Sequence, residues 1–200
     1  MAFVPRLSTS SPTNLYTSPW YMSNGNWFYA NGYYYPPPNG NCTWYAYGRY
    51  AEVKGAFANL PLGNGGTWFD NATSFNRGFY NQGALPQLGC ICCFKSPSGN
   101  FPGHVTMVEQ INADGSIVIS NSGYVSNPTS DTSFWTATVY PQNDYMQPWY
   151  HQGGRDYILQ GFIYQDSSPT PPTPPAPTPT PFPFPTQTNK MPLWFYLRRF

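Results

Sequence analysis

The sequence predicts an α+β domain in which N-terminal helices pack on an antiparallel β-sheet. In the first half, Trp44, Tyr47 and Ala51 recur at the three-to-four-residue spacing of a helix that is buried on one side. In the second half, the pattern changes to short alternating runs rich in β-branched and aromatic residues, bounded by Pro, Gly, Asn and Asp. Helices followed by a series of strands are typical of the α+β class.

Two helices and five strands account for this pattern. The first helix is predicted from about Asn41 to Val53, after a turn rich in Asn and Gly. The second is predicted in GGTWFDNATSFNRG, with Thr67 as its N-cap and Gly78 as its end. The strands are predicted at residues 89–95, 104–111, 116–121, 133–140 and 157–164.

The composition divides the chain into four parts. Residues 1–38 are aromatic, rich in glycine and irregular, and we expect them to wrap as an arm around a domain formed by residues 39–165. Residues 166–188 are rich in Pro and Thr, which predicts a semi-rigid linker. Residues 189–200 are apolar and basic, and such an exposed cluster predicts a short docking peptide for another protein.

The charge content excludes some classes of function. Only 8% of the 200 residues are charged and the net charge is +1, so a nucleic-acid partner held through phosphate contacts is not expected. No apolar run reaches the length of a membrane span, and the first residues lack the apolar core of a secretory signal. We therefore expect neither a membrane span nor an export signal.

Three of the four cysteines lie together in LGCICCFK. Alternation along a strand would point Cys90 and Cys92 to one face and Cys93 to the other, so we expect them to pack in a sheet. A metal or redox site built on this cluster is the alternative, although two histidines in the whole chain offer few further ligands.

The fourth cysteine, Cys42, lies where the turn gives way to the first helix. Unpaired backbone N–H groups and the positive end of the helix dipole stabilise a thiolate at that place, which predicts a lowered thiol pKa and a reactive nucleophile. A small buried core cysteine is the alternative.

A hairpin places a histidine near a side-chain amide. With Asn112 to Gly115 as the loop, Ile111 faces Ser116, and the same register sets Thr106 opposite Asn121. His104 then shares a face with Asn121 and lies one diagonal step away, about 7 Å between backbones. Glu109 is an odd number of residues from His104 and points to the other face, so Asn121 is the predicted partner of the imidazole.

In order along the chain, NCTWYAYGR, GGTWFDNA, LPQLGCICCF, GHVTMVEQINADGSIVISNSGY and ILQGFIY resemble the CHAP family of cysteine, histidine-dependent amidohydrolases and peptidases. The resemblance implies a papain-like fold with Cys42 as nucleophile, His104 as general base and acid, and Asn121 as the residue that orients the histidine. Many members have Glu at that position and a second Asn two residues later. This chain has Gly123 there, so a fourth polar helper is missing.

The resemblance also implies minor site residues. Asn41 matches the polar residue before the nucleophile and is a candidate for the oxyanion hole, with the N-cap of the first helix as its alternative role. Trp44 is expected in the core, and with Tyr124 it is a candidate for flanking the substrate cleft. We expect no cofactor, and no calcium at YMSNGNWFYANG because that stretch has no carboxylate.

The implied activity is hydrolysis of amide bonds in bacterial peptidoglycan, as an endopeptidase or an N-acetylmuramoyl-L-alanine amidase. The expected source is a bacteriophage, as an endolysin that passes from the host cytoplasm to the cell wall or as a virion-associated lysin that contacts other phage proteins. The alternative is a virion structural or cell-wall-binding protein that kept the fold with weakened catalysis, and Gly123 favours that alternative.

Overall fold

A computed structural model describes residues 3–8, 15–34, 40–73, 75, 77–79, 85–123, 134–140, 148, 150–152 and 154–165. The predicted linker (166–188), the docking peptide (189–200) and Tyr124 lie outside these residues. Over the described ranges, none of the helices combines the length and the apolar character needed to cross a bilayer.

The helices come first in the chain. A 3₁₀ turn covers Leu15–Thr17 and is followed by α1 (Trp27–Ala30), α2 (Cys42–Lys54) and α3 (Gly65–Asn71). The strands are β1 (Arg77–Phe79), β2 (Ile91–Lys95), β3 (His104–Ile111), β4 (Ile117–Asn121), β5 (Trp135–Val139), β6 (Tyr150–Gln152) and β7 (Arg155–Ile163). The short elements α1, β1 and β6 were not predicted.

All strand pairs in the described part of the chain are antiparallel. The strand order is β1-β7-β2-β3-β4-β5, and β6 pairs with the start of β7. The helices α2 and α3 pack on this sheet through β3 and β2. The prediction of an α+β fold with N-terminal helices on an antiparallel sheet is confirmed.

Helix α2 is buried on every side, whereas the sequence pattern indicated one buried face. All residues from Thr43 to Ala51 are buried, because the chain before the helix covers the side that the sheet leaves open. At Gly48 the ring of Tyr21 lies so close that a Cβ would be 2.4 Å from it. A glycine in the helix therefore lets the N-terminal arm lie directly against α2.

Helix α3 begins two residues before the predicted N-cap. Its N-cap is Asn64, and Gly78 belongs to strand β1, so the predicted limits at Thr67 and Gly78 are wrong. The helix starts early because Gly66 N–H donates to Pro102 O (2.8 Å), and because a Cβ at Gly65 would be 2.9 Å from the backbone of His104. Two glycines allow the helix N-terminus to approach the start of β3.

Each face of the sheet carries an apolar cluster. The cluster under the helices includes Trp44, Trp68 and Cys93, and the cluster on the other face includes Cys90 and Cys92. The predicted division of these cysteines between the two faces is confirmed, and all three are buried free thiols.

A buried ion cluster joins the arm, α2 and the sheet. The side chain of Glu109 is fully buried and accepts hydrogen bonds from Arg49 Nε (2.9 Å) and Nη2 (2.8 Å). It also accepts from the backbone N–H of Arg6 (2.9 Å) and from Ser120 Oγ (2.6 Å). Both arginines reach Glu52 as well. Both oxygens of the buried carboxylate are thus paired, as a buried charge requires.

We expect Glu109→Ala to lower the free energy of unfolding by about 3–5 kcal/mol, because it leaves the buried Arg49 guanidinium without its main partner. Chemical denaturation monitored by circular dichroism measures this change. As the matched control, Asp156→Ala breaks the hydrogen bond between Asp156 Oδ1 and His151 Nδ1 (2.8 Å), two side chains that are more than half exposed. It should change the free energy of unfolding by at most about 1 kcal/mol. Equal effects of the two substitutions would contradict the structural role of Glu109.

Candidate active site

Each predicted catalytic residue lies at one end of a helix or strand. Cys42 is the first residue of α2, His104 is the first residue of β3 and Asn121 is the last residue of β4. The thiol of Cys42 hydrogen-bonds to the backbone at Val105, the residue next to His104. At the end of β4, Gly123 packs against the backbone of Cys42. The structure therefore brings Cys42, His104 and Asn121 into one region.

His104 and Asn121 are hydrogen-bonded, with 2.9 Å between Nε2 and Oδ1. The predicted register is wrong by one residue beside the loop, because Ile111 pairs with Ile117 rather than with Ser116. A β-bulge between Val108 and Gln110 inserts an extra residue into β3, and beyond it the predicted register returns. The amide therefore reaches the imidazole as the parity of the strands predicts.

The orientation of the Asn121 amide sets the tautomer of His104. Nδ2 of Asn121 donates to the carbonyl oxygen of Trp135 (3.2 Å), so its Oδ1 faces the imidazole. Because Oδ1 can only accept, Nε2 of His104 carries the proton. Nδ1 is then left with a free lone pair, which is the form of histidine that accepts a proton from a thiol.

The imidazole of His104 is fully buried. Its ring packs beside Tyr150 and Tyr157, with centroid distances of 6.1 Å and 5.4 Å. Burial lowers the pKa of His104 to about 4, and the hydrogen bond that Nε2 donates to Asn121 opposes this shift only in part. His104 is therefore neutral at physiological pH.

The thiol of Cys42 does not have the lowered pKa that its place at the helix start predicts. Burial raises the pKa of Cys42 to about 11, and hydrogen bonds with the backbone at Val105, Thr43 and Cys42 itself oppose that shift without reversing it. The prediction was wrong because it considered the helix end and left out the removal of water from around the sulfur. The resting thiol is therefore neutral.

The resting site has no hydrogen bond between the thiol and the histidine. Nδ1 of His104 is buried and has no hydrogen-bond partner among the described residues. Such an orphaned acceptor is unfavourable in a protein interior, by about 1–3 kcal/mol. An unpaired buried nitrogen in the same region as a cysteine is the arrangement that a proton transfer on substrate binding would use, since catalytic contacts often shorten only then.

Asn41 is the N-cap of α2. Its Oδ1 accepts from the backbone N–H groups of Thr43 (2.9 Å) and Trp44 (3.3 Å) and from Thr43 Oγ1 (2.6 Å). The cap therefore engages the oxygen of the amide, whereas an oxyanion would need the nitrogen. The cap role is therefore observed, whereas the oxyanion role, which would use the nitrogen of the same amide, stays a prediction.

The two predicted cleft residues have different outcomes. Trp44 is fully buried, its Nε1 donates to the carbonyl oxygen of Tyr21 (2.9 Å), and Tyr16 and Tyr34 pack around it. The prediction that Trp44 flanks the cleft is therefore wrong, because the N-terminal arm covers the indole. Tyr124 lies outside the described residues.

Gly123 has a structural reason to be glycine. Its φ is +83°, a left-handed conformation that side chains disfavour, and a Cβ would lie 3.2 Å from the backbone nitrogen of Cys42. The absence of a polar side chain there follows from packing against the nucleophile's backbone. It is therefore no sign of weakened catalysis.

Two polar residues near Asn121 were missed by the sequence analysis. The hydroxyl of Tyr150 donates to Asn121 Oδ1 (3.0 Å), and Nε2 of Gln152 donates to the carbonyl oxygen of Gly123 (3.2 Å). Both belong to β6, a strand of three residues that carries no detectable alternation, and only the three-dimensional fold places it near β4.

A metal centre has no support in the described ranges, where no group of three or more His, Cys, Asp or Glu residues is placed to hold an ion. In particular, Cys90, Cys92 and Cys93 are divided between two faces of the sheet, so they cannot converge on one ion.

Comparisons with known proteins agree with this site. A probable autolysin (SsaALP) from Staphylococcus aureus is 37% identical over 89 residues, which are 44% of this chain and 31% of that protein. The N-acetylmuramoyl-L-alanine amidase sle1 from Staphylococcus epidermidis is 32% identical over 121 residues, which are 57% of this chain and 35% of that protein. The chain thus spans about a third of the length of these relatives.

A crystal structure of an N-acetylmuramoyl-L-alanine amidase from Staphylococcus aureus aligns with a TM-score of 0.37 and 23% identity, over 62% of this chain and 31% of that chain. Residues 28–123, which include Cys42, His104 and Asn121, match the family model of the CHAP domain. This part of the chain, 96 of its 200 residues, is similar to the CHAP domain.

Proposed function

We propose that this protein hydrolyses amide bonds of bacterial peptidoglycan, with Cys42 as nucleophile, His104 as general base and acid, and Asn121 as the residue that orients the histidine. The observation that carries the proposal is the state of His104. Its Nε2 is tied to Asn121 Oδ1, and its buried Nδ1 is unpaired, in the region that also holds a cysteine at a helix N-terminus.

The pKa directions define the first chemical step. With the pKa of Cys42 raised to about 11 and that of His104 lowered to about 4, the resting pair is a neutral thiol and a neutral imidazole. Attack on the substrate carbonyl therefore proceeds with transfer of the thiol proton to His104 Nδ1. Asn121 stabilises the resulting imidazolium through the proton on Nε2.

The later steps use the same groups in turn. The tetrahedral oxyanion is held by the backbone N–H of Cys42 and by Nδ2 of Asn41, which the N-cap contacts leave available. His104 gives its proton to the leaving amine, and a thioester on Cys42 remains. His104 then takes a proton from water, which attacks the thioester, releases the new carboxylate and restores the thiol.

The substrate class rests on the relatives. The names of several staphylococcal relatives refer to N-acetylmuramoyl-L-alanine amidases or autolysins. These names favour the amide bond between muramic acid and the stem peptide over a bond within the cross-link. Mass spectrometry of digested, purified peptidoglycan tests this choice, because the new amine and carboxyl ends identify the bond cut.

The setting in which the protein acts stays a prediction. A phage lytic protein that reaches the wall from the host cytoplasm or from the virion is predicted from the sequence, and the two relatives described above are staphylococcal proteins.

Cys42→Ser should lower the rate of peptidoglycan hydrolysis by at least about a thousandfold while the fold is kept. An alcohol is far less ionised than a thiol and transfers its proton to a neutral imidazole less readily. Release of soluble fragments from purified cell walls measures the activity, and circular dichroism checks the fold.

The matched control for this substitution is Cys90→Ala, which removes a buried thiol on the face of the sheet opposite the helices. It should lower stability and leave the turnover of the folded protein near that of the wild type. Retention of substantial activity in Cys42→Ser would exclude Cys42 as the nucleophile.

The acid limb of kcat/KM should have its midpoint near pH 4 rather than near the usual 6.5 of histidine. Protonation of His104 removes the acceptor for the thiol proton, and burial postpones that protonation to lower pH. Initial rates on soluble wall fragments between pH 3.5 and 8 measure this profile. A midpoint near 6.5 would mean that His104 is solvated in the active enzyme.

The fold must be followed in the same pH range. Between pH 6.5 and about 4 the unfolded chain binds a proton at His104 that the native protein does not bind. Stability is therefore complete above pH 6.5 and decreases as the pH falls through this window, by up to about 3 kcal/mol. Unfolding midpoints at each pH separate this effect from the loss of the general base.

A further inference from the structure

We propose that Tyr150 is a positioning residue, which holds the amide of Asn121 in the orientation that keeps the proton of His104 on Nε2, with Gln152 as the second acceptor of the Tyr150 hydroxyl proton. This inference rests on the proposed thiol hydrolysis and adds two residues to its machinery. Neither residue lies within the part of the chain, residues 28–123, that matches the family model.

The hydroxyl of Tyr150 lies between several partners. It donates to Asn121 Oδ1 (3.0 Å), and the side chain of Trp135 hydrogen-bonds to it. Because an indole can only donate, the hydroxyl is the acceptor towards Trp135, and its own proton is free to point to an amide oxygen. The ring of Tyr150 packs beside the imidazole of His104, which keeps the hydroxyl at a fixed distance from Asn121.

This contact matters because a side-chain amide can be reversed. If Asn121 were reversed, its Nδ2 would face Nε2 of His104, and Nε2 would have to lose its proton to accept. The proton would then lie on Nδ1, where the proton of the Cys42 thiol has to go. The reversed amide would also turn its oxygen towards the carbonyl of Trp135 and would remove one acceptor of the Tyr150 proton.

Gln152 offers a second acceptor to the single proton of the Tyr150 hydroxyl, which is therefore shared between Gln152 and Asn121 Oδ1. Its Nε2 donates to the carbonyl oxygen of Gly123 (3.2 Å), so its Oε1 is the atom that the Tyr150 hydroxyl meets in a short contact. The two side chains share a face of β6 because they are two residues apart. Gly123 in turn packs on the backbone of Cys42. Strand β6 therefore contacts both the amide of Asn121 and the residue that packs against the nucleophile.

Tyr150→Phe tests the inference, since it keeps the ring and removes the hydroxyl. We expect kcat on soluble wall fragments to fall about tenfold, the size expected for one buried hydrogen bond, with KM unchanged. We also expect ¹⁵N NMR of histidine-labelled protein to show the Nδ1–H tautomer of His104 beside the Nε2–H form. A His151→Gln background leaves one imidazole signal to assign.

The matched control is Tyr164→Phe, which removes a tyrosine hydroxyl that donates to the carbonyl oxygen of Leu85 (2.9 Å), on the same face of the sheet but away from His104. It should change neither kcat nor the tautomer. Gln152→Ala, at a partly exposed side chain, keeps the hydroxyl and removes the competing acceptor, so it should strengthen the bond to Asn121 and leave His104 in the Nε2–H tautomer. If Tyr150→Phe does not fold, Gln152→Ala decides by the tautomer alone: an unchanged Nε2–H form supports the inference, and appearance of the Nδ1–H form overturns it.

The outcomes separate this inference from the proposed function. A tautomer shift in Tyr150→Phe supports the positioning role even when the wild type fails to hydrolyse peptidoglycan, a failure that would overturn the proposed function alone. A wild-type kcat together with an unchanged tautomer in Tyr150→Phe overturns the positioning role. A loss of kcat equal to that of Tyr164→Phe, with an unchanged tautomer, also overturns it, because the effect would then be general to buried hydroxyls.

Discussion

The buried carboxylate of Glu109 is the contact on which the geometry of this domain depends. It lies on β3, pairs with Arg49 of α2, accepts from the arm at Arg6 and accepts from Ser120 of β4. Each partner brings a different segment to one point. Because a carboxylate without partners is very unfavourable in a protein interior, the four segments are tied to one arrangement.

That arrangement reaches the site through rigid elements. Arg49 lies seven residues after Cys42 on α2, about 10 Å along the helix axis. Ser120 directly precedes Asn121 on β4, so one side chain faces the ion cluster while the next faces the imidazole. The ion cluster on one face of the sheet and the His104–Asn121 pair on the other therefore share the same two strands. A displacement of α2 along β3 would break the buried ion pair before it moved the nucleophile far.

Local patterns predicted the helix start at Cys42, the strand pair that carries His104 and Asn121, and the division of the three clustered cysteines. These features depend on periodicity and on residues close in the chain. The extra residue at the β3 bulge shows why counting residues from the loop did not give the whole register. The alternation of side chains does not reveal where a strand contains one more residue. The start of α3 was missed for a related reason, because its N-terminus is set by packing on residues 102–104.

Contacts between distant segments could not be predicted. Arg6 and Glu109 are 103 residues apart, and Tyr150 is 29 residues from Asn121. No local pattern in a sequence with 17 tyrosines distinguishes the one that reaches the orienting amide. The pKa of Cys42 was missed in the same way, since burial of the thiol depends on segments distant in the chain, such as the backbone at Val105.

An uncharged orienting residue suits a site whose resting groups are neutral. His104 is fully buried, and a carboxylate in place of Asn121 would be a charge without a counter-ion while the imidazole is neutral. It would draw a proton onto His104 in the resting state and so occupy Nδ1 before the substrate arrives. The amide of Asn121 keeps one proton on Nε2 of His104 without favouring a second proton on Nδ1. The imidazolium of His104 and the oxyanion of the substrate therefore form together, when the sulfur of Cys42 attacks the substrate carbonyl. The oxyanion donors at the start of α2 can then stabilise the product of that attack.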